Sequence, residues 1–176
     1  YRDMTDEPLR IFLASPGDLS DQREVVRSTI ERYNDTVRAD NERRYELVGY
    51  ENTSGTAWRP QSEINLLIAE AHFMIVLLKK QWGSEPGSPF GYSSGTEEEL
   101  FTGLLELGVR DRPMQDIWVA FIDEPEPAVE VAELRAQMED RHSLFYEAIA
   151  DDLVLDRRLS DRLRGWQRTA GNKTPR

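Results

Sequence analysis

The apolar positions of this 176-residue chain fall into short unbroken runs separated by longer amphipathic stretches. The run Leu9-Arg-Ile-Phe-Leu-Ala-Ser15 stops at Pro16-Gly17, which reads as a buried strand leading into a turn. Asp18 follows in a good N-cap position, and Val26, Ile30, Tyr33 and Val37 then recur at helical spacing until Asp40-Asn41. Residues 45–50 (YELVGY) read as a second strand and 51–59 as a polar loop. Pro60 suits the first turn of a helix with Ile64, Leu67, Ile68 and Ala71 on one face. Phe73–Leu78, apolar throughout, has the character of a central parallel strand covered on both faces.

The second half continues the alternation. A loop of about sixteen residues, 80–95, carries Gly83, Pro86, Gly87, Pro89 and Gly91; loops that long inside compact domains are often functional. A helix is predicted over 96–107 with Gly108 closing it, and a strand over 117–122 (IWVAFI), followed by Pro125 and Pro127. Then come a helix over 129–140, a fifth strand over 144–149 and a last helix over 156–168 bearing Leu159, Leu163 and Trp166. Apolar strands alternating with amphipathic helices predict the α/β class, an open parallel sheet of about five strands with helices on both faces. The expected organisation is one domain over 8–170, between an N-terminal extension (1–7) and a C-terminal tail (171–176). Ligands of such sheets bind outside the carboxyl ends of the strands, so loops 15–18, 51–59, 80–95 and 123–127 are the ones to watch.

Composition narrows the chemistry. With 22 Lys and Arg against 33 Asp and Glu the net charge is −11. That argues against nucleic acid, whose binding needs phosphates neutralised, and against anionic membrane surfaces. Cysteine is absent, so disulfides, thiolate nucleophiles and Cys-containing zinc sites are excluded, and His72 and His142 are too few for a three-histidine metal site. No metal is therefore expected, and carboxylates are the available catalytic groups. The absence of a long apolar run or an h-region predicts a cytoplasmic protein without a membrane span. The chain opens on Tyr1, so a domain cut from a larger polypeptide is expected.

Ser94-Gly-Thr-Glu-Glu-Glu99 opens the third helix at the carboxyl edge of the sheet. Its carboxylates have two readings. Thr96-x-x-Glu99 matches a capping box, and acidic residues in a first turn stabilise the helix dipole. Alternatively, one of them works in the cleft. A wheel with Leu100, Phe101, Leu104 and Leu105 as the buried stripe puts Glu97 near its centre and Glu99 well away from it. Ser15-Pro16-Gly17-Asp18 joins a strand to a helix N-terminus, where backbone N–H groups can hold phosphate, or is simply a turn with a cap. Trp58 and Trp82 stand in edge loops, either to stack on a flat ring or to plug the core. His72, opening the central strand, reads as structural.

Taken together, residues 11–23 (IFLASPGDLSDQR), Pro60-Gln-x-Glu-Ile-Asn65, Leu78-Lys-Lys-Gln-Trp-Gly83 and Ser94–Glu99 resemble the TIR-like domains grouped as domain of unknown function 4062, over roughly residues 8–170. The resemblance implies a flavodoxin-like TIR fold and cleavage of the nicotinamide glycosidic bond of NAD, with NAD as substrate and no further cofactor. Nucleoside 2-deoxyribosyltransferases, which are similar, also use a helix-borne glutamate. Glu99, followed by Gly103 and Gly108, matches the catalytic glutamate of the third helix best, with Glu98 as the fallback. Ser15, Pro16, Gly17, Trp82, Gly83 and Thr96 are implied as substrate-binding. His72 stands where the family usually has an acidic residue, and Thr96 where TIR domains have a cysteine. The resemblance further implies self-association for activity, NTPase or repeat domains downstream in the same polypeptide, and a role in bacterial defence signalling. Two alternatives stay open: a non-enzymatic self-association or adaptor module, and a deoxyribosyltransferase-like or other nucleotide N-glycosidase.

Overall fold

The computed structural model describes residues 7–37, 42–49, 61–85, 90–141 and 146–170. Its strands are β1 (Leu9–Ala14), β2 (Tyr45–Val48), β3 (Phe73–Leu78), β4 (Asp116–Ile122) and β5 (Tyr146–Ile149). The helices are α1 (Ser20–Thr36), α2 (Gln61–Glu70), α3 (Gly95–Leu107), α4 (Val129–Arg141) and α5 (Asp152–Ala170). Every strand pair is parallel and the order is β2-β1-β3-β4-β5. This is the flavodoxin-like arrangement, an α/β open parallel sheet of five strands with helices on both faces. Trp58, Pro60, His142 and the first part of the predicted 144–149 strand lie outside the described residues. No helix among the described residues is long and apolar enough to cross a membrane.

β3 is the centre of the fold because all six of its side chains are buried. Its alternate residues feed two cores. Phe73, Ile75 and Leu77 join Val26 and Ile30 of α1 and Leu155, Leu159, Leu163 and Trp166 of α5 on one face. Met74, Val76 and Leu78 join Ile68 of α2, Leu100 of α3 and Val131 of α4 on the other. The Phe73 and Trp166 rings stack at 4.4 Å between centroids, and Trp166 Nε1 donates to Asp116 Oδ2 at 2.7 Å, so the indole is packed and satisfied at once.

Several local expectations are corrected. α5 starts at Asp152 rather than 156, because Asp151 Oδ1 accepts from Val154 N–H at 2.9 Å and caps a turn the apolar pattern did not mark. Asp18 does not cap α1: Leu19 holds the N-cap position, with no side-chain cap. On α3 the buried stripe runs through Thr96, Leu100 and Gly103, while Phe101 and Leu105 are 40% and 70% exposed. A Cβ at Gly103 would lie 2.7 Å from Met74 Sδ and Cε and 3.3 Å from Ile117 Cδ1. The missing side chain is what lets α3 lie close on the sheet, and no hydrophobicity count registers it.

His72 is structural. Its Nδ1 accepts from Arg10 N–H at 3.0 Å, its own N–H donates to Arg10 O at 2.9 Å, and its carbonyl accepts from Gln115 N–H at 2.7 Å. Burial, with Arg10 and Arg43 nearby, lowers its pKa from 6.5 to about 4. Between those values the unfolded chain binds the extra proton, so stability falls as pH drops from 6.5 toward 4. Chemical denaturation across that window should show the decline, and His72→Asn should flatten it. A second expectation concerns α3: Gly103→Val should destabilise by about 1–3 kcal/mol through overpacking against Met74, read as a lower denaturation midpoint.

Candidate functional site

The carboxyl edge of the sheet gathers the β1–α1, β3–α3 and β4–α4 loops into a cleft of about 700 Å³. Its walls include Ser15, Pro16 and Gly17 from the first loop, Lys80, Trp82 and Gly83 from the second, and Glu126 and Pro127 from the third. α3 contributes Gly95, Thr96 and Glu99. Seven of the eight residues singled out from the resemblance, Ser15, Pro16, Gly17, Trp82, Gly83, Thr96 and Glu99, thus share one cavity; the fallback Glu98 does not line it. A second chamber of about 330 Å³ lies beyond the first loop, lined among others by Phe12, Ser20, Arg23, Gly49 and Ile64. Ser15, Pro16, Gly17 and Glu99 line both chambers, so Glu99 stands where the two meet.

The loops are tied to one another by hydrogen bonds. Asp18, freed from capping, accepts from the N–H groups of Lys80 and Gln81 through Oδ2, at 3.3 and 3.1 Å. Ala128 N–H donates to Lys80 O at 2.8 Å, and Gly95 N–H to Ser84 O at 2.9 Å. Gly83 has φ +106°, and a Cβ there would sit 3.4 Å from Ser94 Cβ and 3.6 Å from Thr96 Oγ1. A side chain at that position would be strained in its backbone, while its Cβ would make only ordinary contact with the start of α3.

Capping is done by other residues than Thr96 and Glu99. Ser94 is the N-cap of α3, its Oγ accepting from Glu97 N–H at 3.0 Å. Glu97 accepts from Ser93 Oγ, which in turn accepts from Trp82 Nε1 at 2.8 Å. That chain fixes the Trp82 indole, which both lines the cleft and packs against the core under α3. The predicted Thr96–Glu99 box does not form, and its members face the cleft instead. Glu98, the fallback, is 1% exposed, both its carboxylate oxygens lack a hydrogen-bond partner among the described residues, and it lines neither chamber.

Glu99 is half-buried by surface, but protein so surrounds its carboxyl that desolvation pushes its pKa up to about 8. Arg23 opposes the rise and Glu98 adds to it. A carboxyl at the junction of two chambers, poised near neutrality, can donate or accept a proton or meet a developing positive charge. Arg23 is the residue of this region that the sequence reading passed over. It is buried in a stripe with Leu19, Val26 and Ile30, and a basic residue inside an apolar stripe was the available signal.

No protein-family model matches the chain, and no curated protein matches it. Among solved structures it is similar to the metal-soaked Flv1 flavodiiron core from Synechocystis sp., at 13% identity and TM-score 0.47 over 90% of this chain. It spans 36% of that chain. It is also similar to an NADPH-quinone reductase from P. pentosaceus, at 14% identity and TM-score 0.38, covering 96% of this chain and 100% of the other.

Because the folded-state pKa of Glu99 lies above its ordinary value, its contribution to stability is present below about pH 4.5 and is lost as pH rises through about 8. Glu99→Gln removes the titration. Its melting temperature should therefore exceed that of the wild type by a margin that grows from about pH 5 to about pH 9. A margin independent of pH would contradict a desolvated carboxyl.

Proposed function

We propose that this chain is a TIR-like domain that hydrolyses the nicotinamide–ribose bond of NAD, with Glu99 as the catalytic carboxylate. The observation that carries the reading is the meeting of Glu99 with Ser15, Pro16, Gly17, Trp82, Gly83 and Thr96 on one cleft at the carboxyl edge of a parallel sheet. The C1′–N bond breaks with its electron pair leaving on nicotinamide, which departs neutral. The ribosyl oxocarbenium left behind is stabilised by the ionised carboxylate, and water adds to C1′ and gives up a proton, yielding ADP-ribose. The pyridinium charge of bound NAD favours the ionised form of Glu99, so a substrate of this kind brings its own correction to the raised pKa. Trp82, held by Ser93, offers a fixed aromatic wall.

In this reading the domain works in the cytoplasm, in bacterial defence, and acts when it self-associates within a larger polypeptide. Leu66 on α2 and Phe101 and Leu105 on α3, the neighbouring helix, are 65%, 40% and 70% exposed, which favours association. The same observation is the one that favours the adaptor reading, in which the surface acts without chemistry.

The test is nicotinamide release from NAD by the chain held at high local concentration on a fused oligomeriser. Glu99→Ala should lower release at least about 100-fold, as loss of a charge-stabilising catalytic group does. Glu98→Gln should not. Release by the wild type should rise with pH in kcat/KM, with a midpoint near the value of about 8 that burial gives Glu99 in the free protein. Assembly without release from NAD or from a panel of nucleosides would favour the adaptor; release from a nucleoside alone, the transferase-like alternative.

A further inference from the structure

The smaller chamber contains a charge that the proposed reaction leaves unused. Arg23, near the start of α1, is 6% exposed and lines this chamber with Ser15 and Glu99. Its guanidinium reaches back over the turn that follows β1. Nη1 donates to Ser15 Oγ and lies 3.5 Å from Ser15 O, while Nη2 lies 3.5 Å from Gly49 O, at the end of β2. One cation therefore spans the carboxyl ends of two adjacent strands. Burying a guanidinium is expensive, and a rigid fork of donors is the group suited to holding separate acceptors in fixed geometry. An aliphatic residue would extend the Leu19, Val26 and Ile30 stripe at lower cost, so packing alone does not account for an arginine here.

The charged groups around Glu99 come from several elements. Glu98 stands beside it on α3, Arg23 lines the smaller chamber with it from α1, and Lys80 and Glu126 line the larger chamber from the β3–α3 and β4–α4 loops. Lys80 is exposed to solvent, where its charge is screened. Arg23 is buried, so its charge acts through protein.

We propose that Arg23 is a positioning residue of the Glu99 site, clamping Ser15 at the junction of the two chambers and supplying the buried positive charge against which Glu99 ionises. Its meaning for catalysis rests on the proposed NAD cleavage, but the link itself belongs to the ligand-free protein and is measured there.

The experiment follows the Glu99 carboxyl carbon by NMR across pH in the ligand-free chain, in wild type, Arg23→Met and Arg23→Lys. Loss of the charge in Arg23→Met should move the Glu99 midpoint upward by about one unit. Arg23→Lys, which keeps charge but not the fork, should stay near wild type in midpoint while raising KM for NAD more than it lowers kcat. An unchanged midpoint in Arg23→Met overturns the proposal. Should Arg23→Met fail to fold, the wild type supplies the reading. The Arg23 Nε resonance should then titrate with the Glu99 midpoint and stop doing so in Glu99→Gln, and an Nε resonance that ignores Glu99 overturns the proposal. A coupled pair in a protein that leaves NAD intact would sink the NAD reading and keep Arg23. Cleavage with no coupling would do the reverse.

Discussion

Burial of β3 on both faces is the constraint on which the rest depends. A strand with six buried apolar side chains can exist only where helices cover both of its faces and strands pair with both of its edges. α1 and α5 meet the first demand on one face, and α2, α3 and α4 on the other. Parallel pairing follows from helical crossovers, and it places every strand-to-helix loop at the same edge. The cleft is thus a product of core burial: the loops that line it are brought together because their strands must run the same way.

Close packing then sets the position of Glu99. α3 approaches the sheet through Gly103, against Met74 and Ile117, which fixes the rotation of the helix. With Thr96, Leu100 and Gly103 facing inward, Glu99 falls beside the stripe at the first turn, where the helix emerges into the cleft. Ser94 caps the backbone and Glu97 secures Ser93 and Trp82, so Glu99 is not drawn into either task. Separate residues for capping and for the cleft leave a carboxyl whose surroundings desolvate it and so favour its protonated form, with Arg23 opposing.

Much of this could be read in the sequence, and the failures have physical causes. Unbroken apolar runs announced the central strands β3 and β4, since burial on two faces leaves a one-dimensional signature, whereas the edge strands β2 and β5 carry Glu46 and Glu147 and are only partly buried. The start of α5 was missed because a cap is one side chain, Asp151, outweighed by the pattern around it. The face of α3 was misjudged because Phe101 and Leu105 are apolar but exposed, whereas the contact is made through a glycine. Asp18 looked like a cap because its partners, Lys80 and Gln81, lie 62 and 63 positions away and nothing local points to them. The loops around the cleft were legible because a parallel sheet gathers its strand-to-helix loops at one edge, whereas composition gave no residue of it. Arg23 escaped because charge on a helix is ordinarily solvent-facing.

The hydrogen bonds from Asp18 to the β3–α3 loop, and from that loop to Ala128, have a thermodynamic consequence. Among the described residues these bonds hold backbone positions of three loops together, so the entropic cost of fixing them is met on folding. A molecule entering the cleft meets backbone at Lys80, Gln81 and Ala128 that is already held, so none of its contact energy goes into fixing those positions and that share remains as affinity or for distorting the bond to be broken.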